Sequence, residues 1–185
     1  MDNGAENYRR FLAGDETGLD EILHDYKDGL IFYINTIVGN IYDAEDIAID
    51  TFALLGIKKP KDKNKSSFKT WLYTIGRNLA IDHLRKNKKK AEIPLDEVAE
   101  LSDDKDEMLM AYVKTEQNVM LHKSMERLKA EYRQILWLIY FEGLSYKQAS
   151  VIMKKSVNAT EVLASRARKE LKAQLEREGF EYEGL

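Results

Sequence analysis

In the first half of the chain, large apolar residues recur three and four positions apart. Leu19, Ile22, Leu23 and Tyr26 form one set and Leu30, Tyr33, Ile34 and Ile37 the next. That spacing collects side chains on one face of a helix. A further stripe, Ile47, Thr51, Phe52 and Leu55, follows Asp43. The Asp43 carboxylate is placed to accept from the free N–H groups of a first helical turn, so Asp43 is the expected N-cap. Glu45 and Asp46 then suit the positive end of the helix dipole. Lys58 to Ser67 reads as a loop, and Ser66 or Ser67 is suited to cap another helix through Trp71, Ile75, Leu79 and Leu84. The two prolines, Pro60 and Pro94, fall in loops, and no two-residue alternation is sustained anywhere. The pattern predicts an all-α fold. These stripes are buried only against one another, which makes a compact first domain over residues 1–90.

From Ala91 to about Asp106 large apolar residues are few and acids dense, the composition of a linker. Periodicity resumes at Met120, Leu121, Met125 and Leu128. Two helical domains are therefore expected, 1–90 and 116–185, joined by an acidic linker over 91–115. Within the second, Tyr132, Ile135, Leu136, Ile139 and Tyr140 make one apolar helix that stops near Glu142-Gly143. Ser145 and Gln148 then stand at capping-box spacing. A short helix follows through Ala149, Ile152 and Met153, and after a turn at Lys154-Lys155 Ser156 is placed to cap the next helix. That layout is a helix-turn-helix, with Ala149 and Ser150 small enough for a close crossing. The last helix is expected to bury Val157, Leu163 or Ala164, Ala167 and Leu171. This leaves Asn158, Glu161, Val162 and Ser165 on its exposed N-terminal side, with Arg166 and Lys169 beyond. Asn and Ser can read base edges, and the cations suit phosphates. Three helices in this order also occur as plain scaffolding, so spacing alone leaves both roles open.

Charge shifts the balance toward nucleic acid. The net charge of −3 argues against nucleic acid only as an average. Lys58 to Lys90 carries twelve Lys/Arg against Asp62 and Asp82, whereas Glu92 to Glu107 carries eight acids and one base. Basic residues return at Lys154, Lys155, Arg166, Arg168, Lys169 and Lys172. A phosphate backbone responds to such blocks, not to their mean. The absence of cysteine removes disulfides, thiolate zinc sites and cysteine nucleophiles. His24, His83 and His122 have no ligand spacing, and no glycine loop of the P-loop kind is present. Asp43, Glu45, Asp46 and Asp50 could imitate a metal cluster, but capping explains them more simply. No catalytic residue, metal or cofactor is expected. The polar start MDNGAENYRR and the lack of any apolar run of roughly 20 residues predict a cytoplasmic protein without membrane insertion.

Three stretches carry a family resemblance. GLSYKQASVIMKKSVNATEVLASRARKEL (143–171) resembles the C-terminal DNA-binding region of extracytoplasmic-function (ECF) sigma factors. DAEDIAIDTF (43–52) and SFKTWLYTIGRNLAIDHLRK (67–86) are similar to their N-terminal region. The resemblance implies core RNA polymerase and promoter DNA as partners, and relatives are often held inactive by an anti-sigma factor. It implies that the helix bearing Asp46, Ile49, Asp50 and Phe52 docks on the polymerase clamp, although Phe52 also fits a core role. The lysine loop and following helix would capture an unstacked base of the downstream promoter element and coat the single strand. Lys61, Asp62, Lys63, Asn64, Lys65, Lys69, Arg77 and Asn78 are the residues so assigned, with Trp71 a packing residue. Ser156, Asn158, Glu161, Val162, Ser165, Arg166 and Lys169 would meet the upstream element as duplex. The acidic linker would thread toward the active-site and RNA-exit region of the polymerase.

Four positions depart from the family pattern. Ile49 stands where Gln is usual, Asp62 where an aromatic is often found, Thr160 where a buried Val is common and Lys154 where a turn Gly is common. The rival reading is a helix-turn-helix regulator that never replaces a sigma subunit. It accounts for the C-terminal half and leaves the N-terminal motif without a task.

Overall fold

A computed structural model describes residues 3–61, 66–91 and 124–177. Among the described residues there are seven α-helices and no strand. The helices are α1 (Gly4–Leu12), α2 (Thr17–Val38), α3 (Ile41–Lys58), α4 (Phe68–Ala91), α5 (Ala130–Leu136), α6 (Tyr146–Met153) and α7 (Val157–Arg177). The helix of α5 runs on as a π-helical segment over Trp137–Phe141. The lysine-loop residues Asp62, Lys63, Asn64 and Lys65 and the acidic linker lie outside the described residues.

The first turn is fixed by charge. Arg10 donates to Asp15 at 2.9 Å, to Thr17 at 2.7 Å and to Glu21 at 3.1 Å, tying α1 to the start of α2. The Thr17 hydroxyl first, and Arg10 second, hold the exposed Asp15 carboxyl below its ordinary range. Gly18 matters for another reason: a Cβ there would collide with the Asn7 carbonyl, so the α1–α2 crossing needs glycine.

The cap of α3 is Asn40, a correction to the expectation of Asp43. Gly39 ends α2 at φ 72°, donating to the Asn35 carbonyl at 2.9 Å. Asn40 then turns extended, and its Oδ1 accepts from the N–H groups of Tyr42 and Asp43 at 2.9 and 3.2 Å. Starting the helix here buries Ile41 as well as the expected stripe. Asp43 falls in the first turn instead and faces His83 of α4 at 3.4 Å. Ser67 caps α4 as expected, its Oγ accepting from Thr70 N–H at 3.3 Å.

The stripe reading of α2 is too narrow. Leu30, Ile31, Phe32, Tyr33 and Ile34 are five successive buried residues, which one helix face cannot hold. They are buried because α2 is surrounded: α1, α3 and α4 pack on one side, and α5 with the π-helical segment on the other. A single hydrophobic core therefore runs from Tyr8 and Phe68 through Leu30 and Phe32 to Trp137, Leu138 and Ala149. The two helical domains are packed together across it.

The helix-turn-helix closes as its sequence directs. The Ser145–Gln148 capping box is complete. Lys154 occupies the left-handed region at φ 54°, which is why glycine suits this turn. Ser156 Oγ accepts from Ala159 N–H at 3.1 Å and caps α7. The buried stripe of α7 is Thr160, Ala164, Ala167 and Leu175. Val157 is exposed, contrary to expectation, because it opens the helix beyond the end of α6. Thr160 takes the buried place itself, its hydroxyl satisfied by the Ser156 carbonyl at 2.9 Å.

Candidate nucleic-acid interface

The reading face of α7 follows from where its small buried residues lie. Thr160, Ala164 and Ala167 seat the helix on its neighbours, so the opposite side faces solvent. Asn158, Glu161, Val162, Ser165 and Lys169 lie on that side at helical spacing, and all are exposed, as is Ser156 at the cap. At 100° per residue, Arg166 and Arg168 fall about 80° to either side of this line. Both are exposed. The arrangement is an exposed strip of polar and small apolar side chains flanked by two cations. All the α7 residues predicted from sequence are brought together here.

The residues predicted on α4 are placed differently. Asn78 is half-buried and Trp71 packs against Tyr8 and Phe68, as a scaffold residue should. Lys61 is exposed at the start of the loop. Lys69 is not free to meet DNA. Its Nζ contacts Glu142 Oε2 at 2.7 Å and donates to the Glu142 carbonyl at 2.9 Å. Arg77 Nε donates to Gln134 Oε1 at 3.4 Å. Arg77 also faces the buried Tyr33 hydroxyl without a well-formed hydrogen bond. Burial pushes that phenol's pKa up, and the neighbouring cation only partly opposes it. Both cations are thus turned toward the second domain in this structure. Sequence could not reveal the partner, because Glu142 lies 73 positions from Lys69 and reads only as a helix stop.

A second surface lies on the far side of the first domain. Asp46, Ile49 and Asp50 are exposed on α3, with Ile49 at 60% and the nearby Ile57 at 82%. With Leu19, Leu23 and Ile31 of α2, the two isoleucines line an open apolar groove edged by Lys27, Glu45 and Asp46, whereas Asp50 lies outside it, beside Asp82 and His83 of α4. Phe52 is 5% exposed and forms the floor of the groove, in keeping with the core role that its place in the stripe also allowed. The α2 wall and Ile57 were missed in the sequence. Leu19 and Leu23 look like core stripe, and only their partial exposure in the fold sets them apart.

Among the described residues no group of His, Asp or Glu is arranged to hold a metal ion, including the acids of α3. No described helix is long and apolar enough to cross a membrane.

A helix-turn-helix with an exposed polar strip on its last helix, joined to a helical body with an open apolar groove, is an arrangement suited to binding both DNA and another protein. Residues 22–90 match the sigma-70 region 2 family and residues 118–171 the sigma-70 region 4 family. The chain is 30% identical over 179 residues to the ECF RNA polymerase sigma factor SigW of Bacillus subtilis, covering 90% of this chain and 94% of SigW. It is 31% identical over 155 residues to SigM of the same organism, covering 84% and 93%. Its fold is shared with the sigma factor RpoE in complex with the anti-sigma factor NepR from Bartonella quintana. There the TM-score is 0.66 and the identity 24%, covering 85% of this chain and 96% of that one. It is also shared with CnrH in complex with the cytosolic domain of CnrY, at TM-score 0.63 and 18% identity, covering 94% and 95%. The chain belongs to the ECF sigma factors. It is a sigma factor that directs promoter recognition and transcription initiation, and proteins of this kind regulate RNA polymerase without catalysing its reaction.

Proposed function

We propose a division of labour along the chain. Residues 1–90 dock on core RNA polymerase through the α2–α3 groove and handle the opened downstream element. Residues 116–185 read the upstream element through α7, and the acidic stretch 91–115 connects the two within the polymerase. The observation that carries this reading is the exposed apolar groove lined by Asp46, Ile49 and Ile57. A regulator that only binds duplex DNA has no use for it, whereas a polymerase subunit requires a large docking surface.

The α7 strip supplies direct readout, with Asn158 and Ser165 as hydrogen-bonding readers, Val162 as an apolar contact, and Arg166 and Lys169 on phosphates. Lys61 and the lysine loop, with Lys69, Arg77 and Asn78 of α4, would attend the single strand. No group of this chain is assigned to bond making; that chemistry belongs to the polymerase, and a cytoplasmic location follows from serving it. An anti-sigma factor is an expected further partner, in line with the company in which the Bartonella relative was captured.

The test is transcription by bacterial core polymerase on fragmented genomic DNA, with and without the protein. Discrete starts that require the protein are expected and would yield the promoter consensus. No protein-dependent starts, with duplex binding intact, would instead establish the ordinary helix-turn-helix regulator.

A further inference from the structure

The two domains meet through one polar joint that engages the cations of α4. Glu142 ends the π-helical segment, and its side chain is only 9% exposed. Its Oε1 accepts from Trp137 Nε1–H at 2.9 Å, and its Oε2 meets Lys69 Nζ at 2.7 Å. The carboxylate rests in a notch on α2 that exists because residue 29 is glycine. A Cβ on Gly29 would stand 2.6 Å from Glu142 Oε1 and 2.6 Å from the Tyr73 hydroxyl. Three lesser bonds run parallel: Gln134 accepts from Arg77, Gln148 donates to Ser67 at 3.2 Å, and Arg133 donates to the Thr36 carbonyl at 3.2 Å. Beside them Trp137 covers Phe32, ring centres 5.7 Å apart. The α7 strip and the α2–α3 groove take no part in this joint and remain exposed.

We propose that Glu142 is an interdomain latch, which holds Lys69 and Arg77 against the second domain and so keeps α4 from single-stranded DNA until the domains part. The proposal rests on the reading of α4 as a single-strand surface. It imposes an order: the closed chain can meet polymerase and duplex DNA, but strand capture waits for opening. Opening breaks the ion pair and the indole hydrogen bond, a loss that rehydration of the two charges offsets in part. Apparent affinity for single strands is then reduced by the fraction of chains that are open.

The test uses the full chain, which has no cysteine of its own. Cysteines replacing Asp20 on α2 and Glu170 on α7, both exposed, carry a donor and an acceptor dye for energy transfer between the domains. A fluorescent oligothymidylate is the single-strand probe, read by anisotropy. Glu142→Gln removes the charge at constant shape. Gly29→Ala fills the notch and favours the α2 helix, although its methyl also crowds the buried Tyr73 hydroxyl. Circular dichroism checks both. Each variant is expected to lower energy transfer and to bind the probe about tenfold more tightly than the parent. Adding Lys69→Ala and Arg77→Ala to Glu142→Gln should abolish the gain. Unchanged transfer in both variants overturns the latch. Domain separation without tighter binding overturns the masking of α4. Core-polymerase transcription with the parent chain keeps the two readings apart. Protein-dependent starts with inert latch variants would sink the latch alone, whereas opening and tighter binding without any starts would sink the sigma role alone.

Discussion

Arg166 and Arg168 differ by two positions yet flank the same strip of α7, and under the proposed reading they meet the backbone of the duplex and not its bases. Each phosphate neutralised releases condensed counterions. Replacing both by Ala is expected to weaken binding to all duplex sequences and to lower the slope of log K against log salt by about 2. A footprinting or anisotropy series over salt concentration reads this directly, and an unchanged slope would remove the two arginines from the interface. Lys154 makes a different point at the same scale. Its lysine side chain is carried at φ 54°, where L residues other than Asn and Asp are uncommon. The departure from the family's glycine was visible in sequence, but the backbone cost behind it was not.

At the scale of elements, capping and docking can be separated by mutation. Asn40 Oδ1 satisfies two first-turn N–H groups of α3, whereas Asp43 satisfies none. Asn40→Ala should therefore cost about 1 kcal/mol in urea unfolding, and Asp43→Ala less than that. A larger loss at Asp43 would restore it as the organising residue of the helix. The groove has its own test. Ile49→Lys and Ile57→Glu alter side chains that are 60% and 82% exposed, so the melting temperature should hardly move. Co-purification with core polymerase should fall at least about tenfold, because a charge desolvated at the centre of an apolar contact is costly. Retained association with both variants would place the docking surface elsewhere. The helix-turn-helix was legible almost bond for bond, because Ser145, Gln148 and Ser156 act within three or four residues of themselves. Asn40 was overlooked because a Gly-Asn turn followed by Ile41 looks like loop until burial of Ile41 shows where the helix begins.

Across the whole molecule, the first and second domains share one core, and their stability should be shared as well. Phe32 is enclosed only with Trp137 beside it, and Arg133 and Gln148 reach across with hydrogen bonds. Trp71 and Trp137 are the only tryptophans. In Trp71→Phe, fluorescence reports Trp137 at the joint, while far-UV circular dichroism reports the helices of both domains. The two signals are expected to share one midpoint in urea, as cooperative units do. In Glu142→Gln the midpoints should draw apart. Two midpoints already present in the Trp71→Phe chain would mean that the joint is too weak to couple the domains.

What the sequence determined by itself was local or segmental: helical class, the two motifs, the caps of the helix-turn-helix, the segregation of charge and, through these, the family. Such features depend on residues within a turn or two of each other, or on composition that a phosphate backbone or a polymerase surface senses directly. The tertiary structure alone decided which side of α2 is free, and the answer for Leu30 to Ile34 was none. It also decided that Lys69 and Arg77 face protein, that Phe52 floors the groove, and that Glu142 fits the notch at Gly29. Each of these depends on helices brought together from distant parts of the chain. Burial and pairing are properties of that packing, and periodicity along a single helix cannot record which neighbour will cover it.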